Sequence, residues 1–393
     1  MSTTGDLRRI FKAAVINPVA LDRVDSYDAG YLIINGDRIE RLTRDDPRPA
    51  LPSAEFTDLG NKIVVPGFVD AHVHLPQFAI MGVGSGELLT WLNTYTYPEE
   101  ARFADPEYAA TVTRKFFDAL VANGTTAAAI YSSVHEEATD IAFTIARTTG
   151  IRAFIGKVMM DRNSPPSLLE DTEESIAESV RLFERWDGAE SGRLRYIFTP
   201  RFAGSCSMEL MSRVGAIARD RNAFVQSHLS ENCEEVAWIR EVFPGYASYA
   251  GVYDSAVMLT ERSIMAHCIH LTTNEIATLS RRGVNVAFCP YSNRTLRSGT
   301  MPYQRLRDAG LNISLGTDVA GGPSLSMPEQ MREAMAAANI SWAEALYLAT
   351  LGGAKALGLS DRIGNFETGK DADFVVLEQD VVREVYIRGA RML

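Results

Sequence analysis

Residues 62–75 read KIVVPGFVDAHVHL, and this stretch decides the fold. A short apolar run that opens at a Pro-Gly and closes on polar residues has the signature of a strand buried on both faces. Side chains alternate along a strand, so His72 and His74 share one face. Two imidazoles on an inward face can reach one metal ion. They can equally be two packed core histidines, and the pair alone does not choose between these readings.

Seven more runs of this kind follow: GTTAAAIYS (124–132), RAFIGKVMM (152–160), LRYIFTPRF (194–202), AFVQSHLSE (223–231), SIMAHCIHL (263–271), VNVAFCPYSN (284–293) and NISLGTDVAGG (312–322). Helix-like segments separate them, among them DPEYAATVTRKFFDALVAN (105–123) and TEESIAESVRLFERW (172–186). Eight buried strands alternating with helices predict an α/β fold, a (β/α)₈ TIM-like barrel over 66–363. An open doubly wound sheet has the same alternation, but no GxGxxG follows any of these strands. Both ends of the chain read differently. YLIINGDRIERL (31–42) is a hairpin around an Asn-Gly-Asp turn, and 364–393 is a Val-rich strand region with turns. Neither end buries enough to stand alone, so residues 1–65 and 364–393 are expected to join as one small β-sandwich domain.

The chemistry gathers at the strand ends. Six histidines occur in 393 residues, and four of them close predicted strands: His72, His74, His228 and His267. Asp318 closes the eighth. In barrels the C-terminal ends of the strands carry the active site. Imidazoles with one carboxylate suit Zn²⁺, with Fe²⁺ or Mn²⁺ as alternatives. His135 and His270 read as ordinary strand-end or loop histidines.

The run PGFVDAHVH, followed in order by SHLSE, AH and GTD, resembles the amidohydrolase superfamily, and the resemblance covers nearly the whole chain. HVHLPQF, LLTWLNTYTYPEEARF, GKVMMD, TPRFAGSCS, SHLSEN, VYD, MAHCIHL, CPYSN and LGTDVAGGPSLSM narrow it to the members that deaminate guanine. The resemblance implies one metal per chain, held by His72, His74, His228 and Asp318. It puts His267 beside the activated water, as a ligand or as a hydrogen-bond partner. Gln77, Arg201 and Phe202 would line a purine site, Trp91 would close over the ring, and Glu231 would move protons. Superfamily members with two metals carry a lysine at the end of the fourth strand. Here that strand ends TPRF, and Lys157 lies on the third. The implied reaction is hydrolysis of guanine to xanthine and ammonia, with 8-oxoguanine, a pterin or an aminotriazine as alternative substrates. A homodimer is implied as well.

The residue types suit that reaction. A carboxyl at Glu231 can give a proton to a ring nitrogen and then act as a base, and Asp318 can carry one from water to the departing amine. The Arg201 guanidinium forks toward planar acceptors, and Gln77 can donate or accept on a purine edge. The chain departs from the pattern after CPYSN, where Arg294 and Arg297 appear. They either meet a more anionic substrate or pair with acidic surface groups.

Composition bounds the rest. The chain is 46% hydrophobic and 23% charged, which is globular, and its net charge of −11 argues against nucleic acid as a partner. Cys206, Cys233, Cys268 and Cys289 are widely spaced and read as reduced thiols. No run is long enough to span a membrane, and a cytoplasmic protein is expected.

Overall fold

A computed structural model describes residues 8–393; the first seven residues of the expected terminal β domain lie outside the described residues. The eight predicted runs form one parallel sheet in chain order: Phe68–His74, Thr125–Tyr131, Arg152–Gly156, Leu194–Pro200, Phe224–Leu229, Ser263–His267, Asn285–Phe288 and Asn312–Leu315. A short strand, Val158–Met159, continues the third run and pairs with the fourth. The last strand returns to the first, making the (β/α)₈ barrel. Thr317 and Asp318 lock this seam. The Thr317 amide donates to Asp70 Oδ1 at 3.0 Å, and the Asp318 amide donates to the His72 carbonyl at 2.9 Å. A side chain on Gly316 would meet His72 Cβ at 2.7 Å, so glycine is what lets this loop lie against the first strand.

Two apolar layers hold the barrel. Val69, Ala71, Ala127, Ala129, Phe154, Ile197 and Phe224 form an inner cluster, separate from the larger layer beneath the helices. Pairing of the first strand with the second slips by one residue between Asp70 and Val73. Such a bulge changes which side chains face which way. It accounts for Ala71 joining the inner core while His72 and His74 meet the catalytic cluster above it.

The helical segments start where the sequence places them. Asp105 caps Pro106–Ala122 and Asp171 caps Thr172–Trp186, each accepting from two backbone amides of the first turn. Strands from both termini form a seven-stranded mixed sheet in the order Ala390–Arg391, Val381–Ile387, Phe374–Glu378, Glu55–Pro66, Arg8–Ala20, Arg23–Asn35, Arg38–Thr43. The Asn-Gly-Asp hairpin is there, with Gly36 at φ 59°. Among the described residues no helix is long and apolar enough to cross a membrane.

Candidate active site

His72 and His74 end the first barrel strand, His228 lies on the fifth, His267 ends the sixth, and Asp318 follows the eighth. All five are buried. The His74 Nε2 atom is 3.2 Å from Nε2 of both His72 and His228. Asp318 Oδ1 is 3.2 Å from His72 Nε2 and 3.4 Å from His74 Nε2. Donor atoms of His72, His228, His267 and Asp318 all lie within 4.8 Å of one another. Ser230, His267 and Asp318 at this mouth hold left-handed φ values of 52°, 70° and 48°. Strain of that kind costs about 1–3 kcal/mol per residue and is tolerated where it aims a functional group.

Hydrogen bonds set which nitrogen two of the rings turn inward. His228 Nδ1 donates to the Arg201 carbonyl at 2.6 Å, and His267 Nδ1 donates to Asn293 Oδ1 at 2.9 Å. Both therefore present an Nε2 lone pair to the centre, and that of His267 is buried without a hydrogen-bond partner. Burial, with the neighbouring imidazoles adding, holds His228 well below the usual imidazole range, and His74 falls to about 3. Burial would lift the Asp318 carboxyl, but His72, His74 and His267 hold it well below the usual carboxylate range. Neutral imidazoles facing each other around an ionised carboxylate are poorly stable without a cation. The donor set fits one divalent metal ion.

Glu231 stands beside this cluster. Its Oε1 accepts from Ser298 Oγ at 3.0 Å, and its Oε2 is 3.4 Å from His267 Nε2. Burial, reinforced by the Asp318 charge, lifts its carboxyl to about 8, which favours the protonated form. Its backbone is pinned by the next helix, Cys233–Val242. Glu235 Oε2 accepts the amides of Glu231 and Asn232, at 2.8 and 3.2 Å. The cap of that helix is Asn232, which leaves the Glu231 side chain for the pocket.

A pocket opens over these groups, bordered by Gln77, Trp91, Arg201, Phe202, Leu296 and Gly321. The Trp91 indole nitrogen donates to the Val83 carbonyl at 3.1 Å, which ties the ring to the glycine-rich loop before it. Phe202 packs against Trp238, ring centroids 5.7 Å apart.

Every site residue named from sequence borders this pocket or belongs to the histidine–carboxylate cluster. Others do neither. Lys157 is buried against Glu170 and Glu178, so it offers no ligand here. Arg294 forms a two-pronged pair with Glu333, both contacts 2.9 Å, and Arg297 is exposed. His135 precedes a helix and His270 donates to the Ser298 carbonyl. No cysteine pairs with another. Sequence reasoning missed Asn293 and Ser298, which hold His267 and Glu231, and Glu100, which joins Gln77 to Arg201. All three lie inside motifs quoted above or beside one, but nothing local marks them.

The profile of the amidohydrolase family matches residues 63–392, and the chain belongs to that family. It is 41% identical over 327 residues to a guanine deaminase from Escherichia coli K12, covering 82% of this chain and 74% of that protein. A guanine deaminase from Dictyostelium discoideum is 39% identical over 333 residues, with the same coverage. Among solved structures, guanine deaminase from C. acetobutylicum, with guanine bound in its active site, superposes with a TM-score of 0.93. The two share 30% identity, covering 98% of this chain and 100% of that one.

Proposed function

We propose that this protein is a guanine deaminase, hydrolysing guanine to xanthine and ammonia. The observation that carries the reading is that the buried Glu231 lines one pocket together with Gln77, Arg201 and the histidine–carboxylate cluster. Family membership and guanine deaminases among both relatives and structural neighbours support it.

His72, His74, His228 and Asp318 would hold the ion, with His267 at its edge through Nε2. When bound, the ion supplies Lewis acidity that lowers the pKa of water to roughly 7. Glu231 gives its proton to ring N3 as the water oxygen bonds to C2. Asp318, low in pKa, takes the water proton and passes it to the departing 2-amino group, which leaves as ammonia. Glu231, now ionised, takes up the proton that the C2 hydroxyl sheds as the carbonyl forms, and N3 keeps its hydrogen in xanthine. Gln77 and Arg201 orient the far edge of the purine, and Trp91 and Phe202 border its faces. Arg294, already neutralised by Glu333, makes no call on a more anionic substrate.

We assign Zn²⁺, one per chain, because imidazoles dominate the donor set; Fe²⁺ satisfies the same groups. The resemblance read in the sequence supports a homodimer acting in cytoplasmic purine catabolism, which light scattering and fractionation would check. The chemistry is tested by ammonia release from guanine, adenine, cytosine, 8-oxoguanine, a pterin and an aminotriazine. Guanine should be turned over fastest. A rate no greater than that for adenine or cytosine overturns the substrate.

A further inference from the structure

Glu100 is buried on the short helix Tyr97–Ala101, and both of its oxygens are used. Oε1 accepts from Gln77 Nε2 at 3.0 Å, and Oε2 accepts from Arg201 Nη1 at 2.5 Å. Gln77 is held at its other end too, where Oε1 accepts the Ala320 amide at 3.1 Å. An ionised carboxylate only accepts and a backbone N–H only donates. The amide nitrogen of Gln77 must therefore face Glu100, and its oxygen must face Ala320. A free glutamine can turn over and offer either atom to a ligand; this one cannot. Arg201 is fixed by the same carboxylate and by the Tyr97 ring, 5.3 Å away on the same helix.

We propose that Glu100 is a positioning residue that sets substrate choice, by fixing Gln77 and Arg201 so that they meet the purine with N–H groups. Each keeps N–H to spare after bonding Glu100, and both border the pocket. An edge made of donors pairs with the O6 and N7 acceptors of a 6-oxopurine. It meets the 6-amino group of an aminopurine donor against donor, leaving buried N–H groups unpaired, which is the costly kind of mismatch. Glu100 also neutralises the Arg201 charge in the protein interior, where an unpaired guanidinium is expensive. The inference rests on the guanine reading above.

The test compares guanine with 2,6-diaminopurine. Both carry the 2-amino group, and they differ at the edge that Gln77 and Arg201 would read. Glu100→Gln keeps the shape but can donate to Gln77 and free it to turn. Glu100→Asp keeps the charge beside Arg201 but is one methylene too short to span both partners. In wild type kcat/KM should favour guanine. In both variants the guanine-to-diaminopurine ratio should fall roughly 10- to 100-fold, mainly through a raised guanine KM, with metal content unchanged. Should neither variant fold, Gln77→Met, which removes the oriented amide, must lower the same ratio. A ratio unchanged in metal-replete variants, or restored in full by Glu100→Asp, overturns the role and leaves a plain charge partner. A wild-type chain that releases no ammonia from either compound overturns the guanine reading, and this inference with it.

Discussion

Two buried charge clusters sit at opposite ends of the barrel, and they are built differently. At the N-terminal ends of the strands, Arg152 reaches both Asp371 and Asp373 in the segment leading to the terminal sheet. Asp371 also meets Arg38 at 2.5 Å and Arg362 at 3.1 Å, while Asp373 accepts the Arg388 amide at 2.7 Å. That cluster completes itself with opposite charges from the chain. At the C-terminal ends, four imidazoles crowd around Asp318 with no cation of the chain among them, and His267 Nε2 makes no hydrogen bond. Burying a charge costs several kcal/mol unless it is paired. The first cluster meets that cost internally and joins two parts of the fold. The second leaves it to be met by an ion, which is the mark of a site rather than a staple.

The contrast can be broken at either end. The largest expected effect is metal removal. A strong chelator should abolish ammonia release while far-UV circular dichroism stays the same, and added Zn²⁺ should restore turnover; activity that survives in metal-free protein ends the distinction. Next comes Glu231→Gln, which should keep the metal and lower kcat by ~10²–10⁴-fold. A near-normal rate would take Glu231 out of the proton path. At the closed cluster the loss should be of stability alone. Arg152→Met takes the buried cation from Asp373 and one of three from Asp371, and should cost ~3–5 kcal/mol in urea unfolding, with kcat/KM of the folded fraction unchanged. A fall in kcat/KM would show the two ends to be coupled.

The smallest effect is on pH dependence. Burial raises the Glu231 carboxyl from 4.5 to about 8, so between those values the folded metal-free chain holds a proton that the unfolded chain has released. The stability this group contributes is complete below pH 4.5 and is lost as pH rises through about 8. The urea midpoint of metal-free wild type should thus decline from pH 5 to 8 more steeply than that of Glu231→Gln. Parallel slopes would place the buried proton elsewhere.

Much of this was legible in the chain itself. Eight apolar runs and the helices between them announce the barrel because strand and helix periodicity are local properties. His72, His74, His228, His267 and Asp318 could be picked out because each closes one of those runs, and Glu231 because it follows His228 so closely. The terminal hairpin was written in Asn35-Gly36-Asp37. Other features lay beyond local reading. The register slip between Asp70 and Val73 turns Ala71 and His72 into the same interior, and alternation alone does not reveal it. Arg294 had two open readings until its partner Glu333 came into place. Glu100 lies in the stretch Pro98-Glu99-Glu100, where nothing local marks it, yet it is buried against Arg201, 101 residues further on. Sequence by itself determined which elements form and which reactive groups stand at their ends, because backbone preference and burial pattern act over a few residues. Only the tertiary structure decided which groups meet, since closing the barrel brings distant strand ends into a low-dielectric space where each buried polar group must find a partner.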